Sequence, residues 1–206
     1  MNTFPANYHL VEMDGLGDPR LPDWLCLYEL TFPPEERLLA GELVRILQKP
    51  ASCQTHHMLA LVETEQGLAG LGLWQSQPQL STAYLWYLAV QPSLRGGGLG
   101  SALYQAIARG ALAQHRLLIF EVEIPAEAPD EASRRLRERR IEFYRRNGAR
   151  MLKGVHYLET VGPHLPPVPM HLMAHANGLL TPAEVFTAGK GLFGSLLSQT
   201  GELSLI

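Results

Sequence analysis

Residues Val90 to Ser101 read VQPSLRGGGLGS, and four of the five positions from Gly96 to Gly100 are glycine. The run follows a wholly apolar stretch, Ala83 to Val90 (AYLWYLAV). It precedes a segment from Leu99 to Leu112 in which Leu99, Leu103, Ala106 and Ile107 mark one helical face. A strand without polar alternation is covered on both faces. A covered strand that feeds a glycine turn and then an amphipathic helix belongs to an α/β fold. Glycines let backbone N–H groups approach a ligand closely. The helix start adds donors without intrahelical partners and the positive end of the dipole. Together these make an anion site suited to a phosphate or pyrophosphate. A Walker A loop is excluded, because no Lys-Ser/Thr follows the glycines. The dinucleotide fingerprint GxGxxG does not fit either: from Gly96 or Gly98 the third glycine is missing, and from Gly97 the second.

The rest of the chain supplies the partners such a unit needs. Residues 19–30 and 35–48 read as helices, the second with Leu39, Leu43, Ile46 and Leu47 on one face. His57 to Thr64 and Leu68 to Trp74 flank the turn Glu65-Gln66-Gly67 and predict a hairpin. Arg116 to Ile124 is a further strand, and Glu131 to Asn147 a long helix closed by Gly148. Residues 150–159 and 168–174 are two more strands around the Pro-rich loop TVGPHLPP. Thr181, as N-cap before Pro182, opens a final helix to Leu197, which Gly189, Gly191 and Gly194 weaken. No repeat or linker divides the chain. The expectation is one mixed α/β domain, residues 1–176, with a helical extension, 177–206, packed on it.

Charge is uneven. The formal net charge is −3, which argues against a bulk nucleic-acid binder. Yet residues 134–150 carry eight arginines against Glu138 and Glu142, while residues 1–70 hold ten acids against four cations. Cys26 and Cys53 make no framework, and the eight histidines form no ligand motif, so no metal is expected. The N-terminus lacks a signal-peptide pattern and no apolar run reaches a membrane span, so a cytoplasmic protein is the default.

Two motifs carry a resemblance. Arg95-x-x-Gly98-x-Gly100, preceded by Val90-x-Pro92 at a strand end, is similar to the acetyl-CoA motif of the GNAT N-acetyltransferase superfamily. Phe143-Tyr144-Arg145-Arg146-Asn147-Gly148-Ala149 resembles the signature that ends that family's last conserved helix. The element order resembles the family from about residue 8 to residue 175. The resemblance implies a mostly antiparallel central sheet flanked by helices, with acetyl-CoA as co-substrate. It implies that backbone amides of Arg95, Gly96, Gly97, Gly98, Gly100 and Ser101 hold the pyrophosphate, and that Leu88, Ala89 and Val90 pair with the pantetheine arm. Tyr144 would be the general acid, since a neutral phenol can donate a proton at pH 7. Glu121 would be the base, directly or through a water. Another place where members carry a base is here Tyr84, which is no carboxylate.

The sequence departs from the family pattern too. Glu121 and Tyr144 are 23 residues apart, roughly twice the usual spacing, and the extra turn brings Arg134, Arg135, Arg137, Arg139 and Arg140. These read mainly as a solvated face, with one or two within reach of the CoA 3′-phosphate. The same stretch offers little for base stacking. Asp23, Glu29, Glu35, Glu36 and Glu42 fall on the elements that would frame the acceptor, and acids there suit a cationic amine or mere solubility alike. His156, Tyr157 and His164 are candidates for the pocket wall. The reading is therefore an N-acetyltransferase for a small amine, polyamine or protein amine, with a homodimer as the expected assembly to test. The alternative is a catalytically weak acyl-CoA-binding sensor or scaffold.

Overall fold

Alternation within the apolar strands sends successive side chains to opposite sides, so each strand must be covered twice. The computed structural model, which describes residues 4–48, 55–63, 67–160 and 166–206, shows how. In chain order the elements are β1 (Tyr8–Glu12), α1 (Leu21–Thr31), α2 (Ala40–Gln48), β2 (Thr55–Glu63), β3 (Gly67–Gln77) and β4 (Thr82–Val90). There follow α3 (Leu99–Gln114), β5 (Leu117–Glu123), α4 (Glu131–Arg146), β6 (Arg150–Glu159), β7 (Val168–Ala176), α5 (Pro182–Phe193) and β8 (Leu197–Leu205). The strands form one sheet in the order β1-β2-β3-β4-β5-β7-β6-β8. Every neighbouring pair is antiparallel except β4 with β5.

One face is covered by α3 and α4. There Leu103, Tyr104, Ile107, Ile141 and Tyr144 meet Leu61, Leu85, Leu118, Phe120 and Val122. Gly72 lets α3 close on this face, since a Cβ there would stand 2.8 Å from Ile107 Cδ1. The other face has two covers. The α1–α2 pair sets Trp24, Tyr28 and Leu43 on Met58, Leu71 and Leu73. The α5 helix sets Val185 and Phe193 over Ile119, Tyr157, Leu172 and Leu197.

Three expectations need correction. The sequence reading lacks β1, whose five residues form an outer strand on β2. The second helix starts at Ala40 rather than residue 35, because Pro34–Glu36 form a 3₁₀ turn and Arg37 is extended. The last helix ends at Phe193 rather than Leu197, and the chain returns as β8 along β6. Gly194, at φ +55°, breaks the helix. Cys53, the Glu65–Gln66 turn residues, and the loop tip with His164 lie outside the described residues.

Candidate active site

The parallel pair at the centre of the sheet is short. β4 and β5 are in register only at Thr82–Leu117, Ala83–Leu118 and Tyr84–Ile119. Past Tyr84 the strands continue, β4 to Val90 and β5 to Glu123, without pairing to each other. The cause lies in β4. Leu73 faces Tyr87 while Trp74 faces Leu85, so Trp86 is an extra residue in β4. Such a bulge bends its strand and ends a ladder. The result is an opening in mid-sheet, with Leu88, Ala89 and Val90 lacking a strand partner on the β5 side and the Val90 carbonyl taken by the Arg95 side chain.

The glycine loop sits at the end of this opening. Gln91 N–H donates to the Ala69 carbonyl at 2.9 Å and Arg95 Nε to the Val90 carbonyl at 3.2 Å, which ties the loop to the strand ends. Gly96 and Gly98 have φ near +90°, a region side chains avoid. Gly97 has no such φ, and a Cβ on it would find nothing nearer than the Leu94 carbonyl at 4.0 Å. No protein neighbour accounts for glycine there. The first bond of α3 runs from Ala102 N–H to the Gly98 carbonyl at 3.0 Å. The amides of Leu99, Gly100 and Ser101 therefore precede any helical acceptor. The Arg95 amide differs from the others, since it turns back to the Pro92 carbonyl at 3.4 Å. An exposed loop of Cβ-free backbone with free N–H groups at a helix start fits the pyrophosphate of CoA.

Tyr144 lies on the α3–α4 face. Its ring packs on Phe120 at 4.4 Å between centroids, on Phe143 at 5.0 Å and on Tyr104 at 5.2 Å. Burial pushes its phenol up to about 12, against the lowering effect of Arg140. The helix end carrying it is tied to the glycine loop's helix. Asn147 Nδ2 donates to Ser101 Oγ at 3.1 Å and Gln105 Nε2 donates to the Asn147 carbonyl at 2.7 Å.

Glu121 belongs to the opposite face. Phe120 and Val122 point toward α3 and α4, so period two turns Glu121 toward the α5 side. Tyr84 Oη is 2.9 Å from both carboxylate oxygens of Glu121 and donates to them. Burial, and then the charge of Glu159, push Glu121 up to about 8, while the Tyr84 hydrogen bond works the other way. The Tyr157 hydroxyl donates to Glu159. Tyr84 was set aside in the sequence reading because it is not a carboxylate, yet it holds one. Glu159 was missed altogether. Neither spacing nor periodicity links it to Glu121, because β7 lies between their strands.

The charged side chains divide differently from the sequence reading. Arg134 and Arg135 pair with Glu131 at 2.8 and 2.9 Å, and Arg134 also with Glu138 at 3.0 Å, all on the exposed surface of α4. Arg137 and the partly exposed Arg140 reach back to the end of β5. Arg137 donates to the Ile124 carbonyl at 2.9 Å, and Arg140 meets the buried Glu123. Glu36 lies 3.9 Å from Arg140, and Glu29 lies 3.7 Å from Arg37, so two of the acids expected to face a substrate face arginines. Among the described residues no three His, Cys, Asp or Glu side chains converge as metal ligands. No described helix is long and apolar enough to cross a membrane.

The model of the GNAT acetyltransferase family matches residues 21–149, more than half of the chain. The chain belongs to the GNAT family. Solved structures share its fold. A putative GNAT-family acetyltransferase from Bacteroides thetaiotaomicron superposes with a TM-score of 0.67 at 22% identity, over 90% of this chain and 98% of the other. A spermidine N-acetyltransferase chimera from Vibrio cholerae gives 0.60 at 14% identity, over 83% and 96%. A Bacillus subtilis acetyltransferase solved with CoA gives 0.56 at 12% identity, over 83% and 99%. Among curated proteins, no sequence matches the chain. At these identities the likeness speaks for the fold. The GNAT match stops at Ala149, so β6, β7, α5 and β8 stand outside it.

Proposed function

We propose that this GNAT protein transfers an acetyl group from acetyl-CoA to a primary amine, with Glu121 as the base and Tyr144 as the acid. The observation that carries the reading is Glu121 itself. A carboxylate with a pKa near 8 can take a proton from an ammonium group far better than one near 4. It stands on β5 just past the point where β4 and β5 part.

The N–H groups of Gly96, Gly97, Gly98, Gly100 and Ser101 would hold the pyrophosphate, and the edge of Leu88, Ala89 and Val90 would pair with the pantetheine arm. Arg95 contributes through its side chain, which ties the loop to Val90. Acetyl-CoA supplies the activated acyl group as its thioester. Glu121 takes the proton that the acceptor ammonium must lose before attack. Tyr144, on the other face of the sheet, gives a proton to the departing sulfur. Its phenol stays neutral throughout the working pH range because burial raises it. The acceptor class is a small amine, a polyamine or a protein amine, and the spermidine enzyme among the fold's relatives makes polyamines the first set to try.

The test is acetyl-CoA with a panel holding a diamine, spermidine and an alanine-ended peptide. Free thiol and the mass of one added acetyl group should appear together with at least one amine. Binding of acetyl-CoA without thiol release from any amine would favour the sensor or scaffold reading instead.

A further inference from the structure

We propose that Tyr84 is the positioning residue of the base, holding the Glu121 carboxylate by both oxygens, and that Phe193 of α5 holds Tyr84 for that task. The proposal rests on Glu121 as the base.

The strand register places the pair. Tyr84 is the last residue of β4 in register with β5, where it faces Ile119. Glu121 stands two residues further along β5, so it shares a face with Ile119. The Tyr84 side chain reaches past the end of the ladder, and its Oη lies 2.9 Å from each Glu121 oxygen. One hydroxyl proton engages at most two of the about four acceptor positions of a carboxylate, so an amine still finds lone pairs there.

The Tyr84 ring is held in turn. Phe193 packs nearly perpendicular to it at 5.4 Å between centroids, and Trp86, the extra residue of the β4 bulge, lies at 6.1 Å. Phe193 also meets Tyr157 at 4.5 Å. The α5 helix that carries Phe193 is fixed at both ends. Thr181 and Glu184 form a capping box at its start. Beyond Gly194 the chain pairs with β6, where Leu197 faces Tyr157. Phe193 lies outside the region matched by the family model, so this clamp belongs to the part of the chain beyond that match.

The base needs such a partner. Burial and the charge of Glu159 both favour the protonated carboxyl, and a carboxyl that keeps its proton takes none from an amine. The Tyr84 hydrogen bond favours the ionised form, as does the Glu121 backbone amide. Tyr84 can donate at any working pH, because burial raises its phenol well above the usual range. The titratable groups bearing on Glu121 are Tyr84 and Tyr87 from β4, Tyr157 and Glu159 from β6, and Tyr144 from α4. Its β7 partner is Leu172, and α5 brings Phe193. None of these is a cation, so hydrogen bonds must support the ionised state.

Tyr84→Phe keeps the ring between Phe193 and Trp86 and removes the donor. In carboxyl-¹³C-Glu protein, the Glu121 signal is assigned by its loss in Glu121→Gln. Its titration midpoint should rise by about one pH unit in Tyr84→Phe. The rising limb of kcat/KM for the acetylated amine should move up as far, roughly a tenfold loss below the limb and none on the plateau above it. 3-Fluorotyrosine in place of Tyr84 is a stronger donor and should move both down. Phe193→Leu should raise the midpoint by less than Tyr84→Phe does, with a melt beside it to show the fold is kept. Phe193→Met takes its place if that variant does not fold. An unmoved midpoint in Tyr84→Phe, or a lowered plateau with an unmoved limb, overturns the positioning role while leaving the base reading intact. An unmoved midpoint in the folded Phe193 variant overturns the part assigned to α5. If Glu121→Gln itself keeps the wild-type rate, the base reading fails instead.

Discussion

Replacing Gly97 by alanine separates a ligand cradle from a structural turn. The backbone there avoids the left-handed region, and the nearest atom to a new Cβ would be the Leu94 carbonyl oxygen at 4.0 Å. The methyl therefore fits the folded protein. It also narrows the unfolded ensemble, which is worth about 0.4–1 kcal/mol in favour of folding. With about 2–4 °C per kcal/mol for a chain of this size, Tm should stay level or rise by a few degrees. Binding should respond oppositely. Alanine keeps the amide N–H, but its methyl would stand where an anion approaches that backbone; if it holds a pyrophosphate oxygen beyond reach of the Gly97 N–H, the lost charge-assisted bond costs about 1.5–3 kcal/mol, or roughly 10- to 150-fold in Kd. Calorimetric titration with CoA, beside a thermal melt, reads both. An unchanged Kd would refute the cradle. A fall of several degrees in Tm would show that the glycine serves the turn. Gly98→Ala is the control for strain, because its φ of +86° should cost about 1–2 kcal/mol before any ligand is added.

Three other outcomes follow from the same geometry. Gly154→Ala should destabilise by more than about 2 kcal/mol, since φ is +80° and a Cβ would collide with the Glu202 carbonyl. Loss of hydrogen-exchange protection in β8 checks this, and a wild-type melt would contradict it. Tyr144→Phe keeps the ring on Phe120 and should lower kcat by roughly 10²-fold, with acetyl-CoA affinity unchanged. Glu121→Gln should reveal the cost of the buried acid. A folded-state pKa raised from 4.5 to about 8 gives stability that is complete below about 4.5 and is lost as pH rises through about 8. The variant should therefore gain Tm relative to wild type between pH 5 and 9, and a constant difference would argue against the raised pKa.

The central unit was legible because its signals are local. AYLWYLAV, the glycine loop and the Leu99–Ile107 stripe each state their own conformation, and the structure has all three in place. The outer strands were not legible for the opposite reason. β1 has five residues and no buried one, and β8 exposes most of its side chains, so neither carries an apolar period. β8 also depends on Gly154, forty-three residues before it begins, to let its backbone approach. The candidate site divides in the same way. Glu121 and Tyr144 could be named from motifs. The partnership of Tyr84 with Glu121 needs the three-residue β4–β5 register. That of Tyr157 with Glu159 needs β6 to lie beyond β7. The charge asymmetry was real in the sequence but was a poor guide to the cleft. Arg134 and Arg135 are met by Glu131 and Glu138 on their own helix, and Arg140 reaches across to Glu36.

The claim that a raised Glu121 carboxylate deprotonates an amine acceptor has one direct measurement. It is kcat/KM for the acetylated amine against pH, in wild type and Glu121→Gln. A base must be ionised to act, so the wild-type rate should rise through about pH 8, beyond any rise traceable to the amine itself. The variant should be slower by roughly 10²-fold or more and should lack that limb. The same profile in both proteins, at the same rate, would contradict the account.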